Sequence, residues 1–206
     1  MNDAALLPRP PRLGDTAPNF TARTTKGEIS LDQYRGRWLL FFSHPADFTP
    51  VCTSEFIALA QAAPAFEAIG CALLGLSVDS LYSHVAWMRA IHDLSGIEVP
   101  FPVVEDPSMA VGRAYGMLDA DATDSAAVRA TFFIDPEGVI RAINWYPMNV
   151  GRSIEEMLRT VHALQRAMLG DALAPAGWNP GDDVLLPPAL PTDGEADWFY
   201  RLRPDR

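Results

Sequence analysis

Cysteine is scarce in this chain of 206 residues, which contains 2 cysteines, Cys52 and Cys71, and no Cys-x-x-Cys pair. Two cysteines do not make the disulfide framework on which small secreted domains depend. The missing Cys-x-x-Cys pair also disfavours a dithiol disulfide reductase. We therefore predict free thiols and a cytoplasmic, reducing location.

Basic residues are also few, because 16 Lys and Arg face 26 Asp and Glu, for a formal net charge of -10. Binding to phosphate backbones requires clustered cations, so nucleic acid is not an expected partner. No apolar run reaches the length of a membrane span, and residues 1–11 lack the pattern of a signal peptide. With 49% hydrophobic residues, the chain can bury a sizeable core.

Apolar segments of strand length alternate with segments of helical period along most of the chain. This order predicts an α/β fold with a mixed central sheet flanked by helices. Residues 17–31 resemble a small N-terminal hairpin, and Asp135–Gly138 has the composition of a type I turn between two strands. The expected strands are 38–43, 71–78, 101–104, 131–134 and 139–143, and the expected helices begin near Thr49, Leu81, Asp106 and Ser153.

The character of the sequence changes after the last helix, in which Ser153 and Glu156 form a capping box. From Asp171 onward proline is frequent and periodicity is weak. We therefore expect one domain over residues 1–170 and a C-terminal extension over 171–206. The aromatic residues of the extension, at 198–200, suggest that it packs on its own domain or on a second protomer.

The stretch from Trp38 to Phe56 holds the most reactive candidate residue. An apolar strand is followed by a loop and then by Thr49 and Pro50, which suit the N-cap and first position of a helix. Cys52 then falls in the first helical turn, where backbone N–H groups and the helix dipole favour a thiolate. Cys52 is the candidate nucleophile, and Pro64 is expected to bend or interrupt its helix.

Pro45, Thr49 and Cys52 have the spacing Pro-x-x-x-Thr-x-x-Cys, which resembles the active-site pattern of peroxiredoxins. The similarity covers roughly residues 13–200 and is greatest to the 1-Cys peroxiredoxin 6 subfamily and its archaeal-type relatives. It implies a thioredoxin-like fold that needs no cofactor. The segments that carry the resemblance, besides the motif, are 43–45, 75–80, 129–138 and 146–152.

By this resemblance Cys52 is the peroxidatic cysteine, which attacks hydrogen peroxide or an organic hydroperoxide and becomes a sulfenic acid. Thr49 and Pro45 would line the peroxide pocket, and Arg129 would face the cysteine. The residues themselves support these roles. A threonine hydroxyl can both donate and accept, and an arginine entering the apolar strand that follows residue 129 needs an anionic partner.

Three further residues are candidates for substrate binding: His44, Arg152 and Glu55. His44 is near the pocket in the resembling proteins, although a structural histidine bonded to backbone is an equal alternative. Arg152 is a second matching cation. Glu55 lies one turn after Cys52 and is expected to pair with an arginine. No metal site is expected, because the other histidines are assigned to different helices without ligand spacing: His84, His92 and His162.

The resolving thiol of two-cysteine peroxiredoxins has no counterpart here, because no cysteine follows Cys71. Cys71 opens an apolar strand and is interpreted as a core residue. Some archaeal-type relatives carry a cysteine near the position of Tyr200. We therefore expect a 1-Cys mechanism in which an external thiol, such as thioredoxin or glutathione, reduces the sulfenic acid.

Two other functions fit the same residues: a peroxide-sensing redox switch and a chaperone-like holdase. Phospholipase activity is disfavoured, because the corresponding segment, Gly36–Trp38, lacks the serine and no Gly-x-Ser-x-Gly motif occurs. The resemblance also implies a homo-oligomer, either a dimer or a decamer.

Overall fold

A seven-stranded sheet forms the centre of the computed structural model, which describes residues 9–118, 127–188 and 197–205. The chain divides into two compact units, Met1–Arg152 and Ser153–Arg206. The sheet belongs to the first unit. Its strands are β1 (Thr21–Thr24), β2 (Gly27–Ser30), β3 (Trp38–Ser43), β4 (Cys71–Ser77), β5 (Val103–Glu105), β6 (Arg129–Ile134) and β7 (Ile140–Tyr146).

The strand order is β2-β1-β5-β4-β3-β6-β7. The three central strands β5, β4 and β3 are parallel, whereas β1, β6 and β7 join them in antiparallel pairs. Parallel strands need crossover connections, and helices α1 (Pro50–Ala68) and α2 (Leu81–Ser95) supply them. The sheet is therefore mixed, with the N-terminal hairpin at one edge, and the thioredoxin-like α/β prediction is confirmed.

Strand β3 is buried along its whole length, because its alternate side chains enter two different apolar layers. The Phe41 ring lies 4.9 Å from the ring of Tyr115 on one face. The Phe42 ring lies 5.8 Å from the ring of Phe56, which belongs to α1, on the other face. This burial on both faces explains why the strand is a continuous apolar run and why α1 is held firmly at its end.

Helix α1 continues through Pro64 to Ala68, so the predicted interruption at Pro64 is wrong. Proline removes one backbone donor from the helix. The buried side chains of Leu59 and Phe66, on either side of Pro64, keep the helix packed despite that loss.

One predicted boundary shifts in the structure, and one predicted turn is confirmed. Helix α3 spans only Ala110–Ala114, because residues 106–109 form a turn in which the Met109 N–H donates to the Asp106 carbonyl at 2.9 Å. The Asp106 carboxylate accepts from the Gly112 N–H in the first turn of the helix, at 2.7 Å. The turn between β6 and β7 is as predicted, with the Gly138 N–H donating to the Asp135 carbonyl at 2.8 Å.

The second unit contains α4 (Ile154–Met168) and the short strands β8 (Val184–Leu185) and β9 (Leu202–Arg203). The Ser153 hydroxyl accepts from the Glu156 N–H, which confirms half of the predicted capping box. The Glu156 carboxylate pairs with Arg159 instead of closing the box. The predicted boundary at residue 170, and packing of the extension in a dimer, stay predictions.

Candidate active site

Cys52 lies in the first turn of α1, and its side chain is fully buried. Thr49 has the extended backbone of an N-cap residue, and its carbonyl accepts the first helical hydrogen bond from Thr53 (2.9 Å). Pro50 follows at the start of the helix, as predicted. The thiol is therefore held where the unpaired N–H groups of the first turn favour negative charge.

The Thr49 hydroxyl does not cap the helix, which corrects one detail of the N-cap prediction. It donates instead to the Ala46 carbonyl at 2.9 Å, because this loop carbonyl competes with the helix for the side chain. Pro45 is buried at the start of the same loop, and Phe48 takes a positive φ of 57°. The hydroxyl oxygen of Thr49 therefore keeps its lone pairs for another donor.

Arg129 is the first residue of β6 and is only 2% exposed, so it is not an exposed strand-start residue. Its Nη1 donates to Cys52 Sγ at 3.3 Å and to Glu55 Oε2 at 2.8 Å. Its Nε and Nη2 both donate to the Met148 carbonyl, at 2.9 and 2.7 Å. All three nitrogens are held, so the guanidinium has a fixed orientation toward the sulfur.

Glu55 lies between two buried arginines, which confirms the prediction that it pairs with an arginine. It accepts from Arg129 and, at 2.8 to 2.9 Å, from the Nε, the Nη2 and the backbone N–H of Arg152. Burial raises the pKa of the Glu55 carboxyl, but the hydrogen bonds from Arg152 and the two positive charges outweigh burial and lower it overall. The carboxylate therefore balances two buried cations.

Arg152 is held by the Glu55 carboxylate and by two groups of β6 rather than by the sulfur. Its Nη1 donates to the Ala130 carbonyl (2.9 Å) and the Thr131 hydroxyl (3.2 Å), and its guanidinium carbon lies 5.4 Å from the centre of the Phe42 ring. Among the described residues, Arg129 is the one whose side chain donates to Cys52 Sγ. The substrate-binding roles expected for Arg152 and Glu55 stay predictions.

His44 belongs to a buried cluster that sequence reasoning missed. Its Nε2 lies 2.9 Å from Asp47 Oδ1, and His84 Nδ1 lies 2.8 Å from Asp47 Oδ2. His84 and His92 share α2, so their assignment to different helices is wrong. The sequence offers one weak signal, an aspartate three residues after a histidine in a loop.

The same three side chains form the one group of possible metal ligands found among the described residues. Neighbouring ligands of a tetrahedral zinc ion would lie about 3.3 Å apart, because zinc-to-nitrogen distances are about 2.0–2.1 Å. The observed separations of 2.8 and 2.9 Å are hydrogen-bond lengths instead. We therefore describe His44, Asp47 and His84 as a hydrogen-bonded cluster.

Cys71 is at the opposite end of the sheet from Cys52. In the parallel pairing of β3 with β4, Cys71 lies beside Trp38, and Leu76 lies beside Ser43 at the end where α1 begins. Five residues of strand separate these ends by about 17 Å, far beyond the reach of a disulfide. Burial also raises the pKa of the Cys71 thiol to about 12. Within one folded chain, Cys71 is a core residue.

Comparison with known proteins indicates the same class of protein as the geometry of the site. Residues 13–143 match the model of the AhpC/TSA family, and residues 163–199 match the C-terminal domain of 1-Cys peroxiredoxin. A peroxiredoxin from Methanosarcina mazei is 43% identical and covers 95% of this chain and 98% of its own. No helix within the described ranges is long and apolar enough to cross a membrane.

Two solved structures are also similar. The yeast mitochondrial 1-Cys peroxiredoxin has a TM-score of 0.87 and 37% identity, with 95% of this chain and 100% of that one covered. A cysteine-to-serine mutant of peroxiredoxin 6 from Arenicola marina has a TM-score of 0.81 and 33% identity, and the match covers 91% of this chain and 88% of that one. With a buried, arginine-paired thiol at a helix start, the fold and the site define a thiol-dependent peroxidase. The chain belongs to the peroxiredoxin family.

Proposed function

We propose that Cys52 reduces hydrogen peroxide and organic hydroperoxides by a 1-Cys mechanism. The single observation that carries this proposal is the 3.3 Å contact between the Arg129 guanidinium and the Cys52 sulfur in the first turn of α1. A cation and a helix start that both act on one buried sulfur stabilise the thiolate, which is the nucleophilic form.

The reaction begins with attack of the Cys52 thiolate on one peroxide oxygen. A sulfur–oxygen bond forms and the oxygen–oxygen bond breaks, so the sulfur is oxidised to sulfenic acid and the peroxide is reduced. The leaving oxygen takes the electron pair and then a proton, and departs as water or an alcohol. Arg129 is the group that stabilises the negative charge moving from sulfur to this oxygen.

Thr49 and Pro45 form the proposed wall of the peroxide pocket. The Thr49 hydroxyl already donates to the Ala46 carbonyl, so its lone pairs can accept the proton of a bound hydroperoxide. Pro45 has no N–H group and so cannot donate to the peroxide in competition with Arg129. We assign His44, Glu55 and Arg152 to the surroundings of this pocket, where they orient the groups that touch the peroxide.

An external thiol completes the cycle in this proposal. The first thiol displaces water from the sulfenic acid and forms a mixed disulfide, and a second thiol releases the Cys52 thiolate and leaves as the oxidised donor. The distance between Cys52 and Cys71 supports an external donor. The similar yeast mitochondrial 1-Cys peroxiredoxin is described with glutathione and thioredoxin systems, and we propose these donor classes here.

We further propose a cytoplasmic homodimer, with a decamer as the larger alternative. Phe199 and Tyr200 in the second unit expose 63% and 54% of their surface, which supports packing against a second protomer. Analytical ultracentrifugation at several concentrations distinguishes a monomer, a dimer and a decamer.

The decisive experiment is steady-state peroxide consumption with thioredoxin, with glutathione and with a small dithiol. We expect many turnovers per protein with at least one donor, complete loss in Cys52→Ser and unchanged turnover in Cys71→Ser. Oxidation without turnover by any donor would instead identify a redox switch. Protection of an unfolded client that survives Cys52→Ser, without peroxidase activity, would instead identify a holdase.

A further inference from the structure

His84 is fully buried on α2, and both of its ring nitrogens lie next to oxygen atoms. Nε2 lies 3.2 Å from the Val104 carbonyl, and Nδ1 lies 2.8 Å from Asp47 Oδ2. A carbonyl can only accept, so Nε2 must carry a proton. A neutral imidazole has a single N–H, which would leave Nδ1 with a lone pair directed at the Asp47 carboxyl group.

The charge of Asp47 resolves this conflict. An aspartate carboxyl has an ordinary pKa of about 3.9, and each oxygen of the Asp47 carboxyl group lies within 2.9 Å of a histidine ring nitrogen. Asp47 is therefore a carboxylate and cannot donate to Nδ1. Both nitrogens of His84 must then donate, which makes His84 an imidazolium paired with a buried carboxylate. Such a pair satisfies the rule that buried charges are paired.

We propose that His84 is a positioning residue for the peroxidase reaction: its imidazolium holds Asp47, and through Asp47 it fixes the active-site loop 44–49 and the tautomer of His44. The inference rests on the proposed function, because this loop carries Pro45 and Thr49. His84 is not part of this loop. It acts through Asp47, which lies between Pro45 and Thr49 in the sequence.

Three atoms of Asp47 make hydrogen bonds, so the loss of Asp47 would change the conformation of the loop. Oδ2 is bound by His84, Oδ1 by His44, and its backbone N–H donates to Asp79 Oδ2 at 2.9 Å. The Ser77 hydroxyl donates to the same Asp79 oxygen at 2.8 Å. Through Asp47, the active-site loop is therefore hydrogen-bonded both to the end of β4 and to α2.

The tautomer of His44 follows from the same geometry. Because Asp47 is a carboxylate, His44 must donate from Nε2, and burial lowers the pKa of His44, so its ring stays neutral. Nδ1 then carries a lone pair, and in the described part of the chain this atom has no hydrogen-bond partner. His84 contributes to this tautomer by holding the Asp47 carboxylate in place beside Nε2 of His44.

Nitrogen NMR of the reduced protein with ¹⁵N-labelled histidine tests the charge states directly. The chain has 4 histidines, so four ring spin systems are expected, and single substitutions assign them. We expect both nitrogens of His84 to be protonated and His44 to be protonated at Nε2 only. A neutral His84 with an unprotonated Nδ1 would overturn the proposal, whatever the enzymatic activity.

The kinetic test compares His84→Gln with His92→Gln, a matched control on the same helix whose side chain is 52% exposed. We expect His84→Gln to slow oxidation of Cys52 by hydrogen peroxide about tenfold and to change the His44 tautomer signals. His92→Gln should change neither. If folded His84→Gln keeps the wild-type oxidation rate, the proposal fails. If it does not fold, the spectrum of the wild-type protein still decides.

The two proposals fail separately. Absence of turnover with every thiol donor would refute the peroxidase mechanism, but it would leave the histidine spectrum as predicted here. A neutral His84 would refute the positioning role, but it would leave Cys52-dependent turnover intact.

Discussion

Replacing Arg129 with lysine is the sharpest perturbation of the site, because it keeps the charge and removes the guanidinium fork. The arginine makes four hydrogen bonds, one to Cys52 Sγ, one to Glu55 and two to the Met148 carbonyl. A single ammonium group cannot reach these three partners from one position. Glu55 and the carbonyl are oxygen acceptors in a buried setting, so the sulfur contact is the one expected to be lost.

The expected magnitude follows from the energy of that contact. A hydrogen bond to a charged group contributes about 1.5–3 kcal/mol. Each 1.36 kcal/mol in a barrier changes the rate about tenfold. We therefore expect Arg129→Lys to lower the second-order rate constant for Cys52 oxidation by about tenfold to a hundredfold. Stopped-flow tryptophan fluorescence measures this rate, since the Trp87 ring donates to Thr53, the residue after Cys52.

Arg152→Lys is the matched control for this measurement. Both arginines are buried and both bind Glu55, so both variants lose hydrogen bonds to the same carboxylate. Urea unfolding should show that Arg152→Lys is destabilised about as much as Arg129→Lys, while its oxidation rate falls by less than threefold. Equal rate losses in the two variants would refute a specific role for the contact between Arg129 and the sulfur.

Three further predictions concern the surroundings of the site. Glu55→Gln leaves two buried guanidinium groups without a carboxylate, so the free energy of unfolding in urea should fall by about 3–5 kcal/mol. A loss below about 1 kcal/mol would contradict the role of Glu55 as the shared partner of Arg129 and Arg152. The pKa of Asp47 is depressed to about 2, since the His44 and His84 hydrogen bonds outweigh burial. The Asp47 carboxylate therefore contributes about 2 kcal/mol to the free energy of unfolding above about pH 4, and this contribution is lost as pH falls toward 2. Asp47→Asn should flatten this part of the stability profile, and an unchanged slope would contradict it. The pKa of Cys71 is about 12, so alkylation at pH 8 followed by peptide mass spectrometry should modify Cys52 first; faster labelling of Cys71 would contradict its core placement.

Local sequence rules were sufficient for the parts of the site that lie close together in the chain. Thr49 and Pro50 predict the start of α1, and that start places Cys52 in the first helical turn. The turn at Asp135–Gly138 predicts the hairpin that begins with Arg129. These predictions succeed because capping and turn formation depend on neighbouring residues and need no knowledge of the packed fold.

Long-range contacts could not be predicted in the same way. Glu55 and Arg152 are 97 residues apart, and Asp47 and His84 are 37 residues apart. Their meeting depends on the order of strands in the sheet, which no local pattern specifies. The Thr49 hydroxyl shows a smaller version of this limit, because its choice of the Ala46 carbonyl over the helix depends on the shape of the folded loop.

Trapping the oxidised form of Cys52 tests the central claim most directly. The reduced protein is treated with one equivalent of hydrogen peroxide in the presence of a sulfenic-acid-specific carbon nucleophile and is then digested for mass spectrometry. We expect one adduct per chain on Cys52, no adduct on Cys71 and no disulfide between the two. A stoichiometric disulfide joining Cys52 and Cys71 that turnover requires, or an unmodified Cys52, would contradict it.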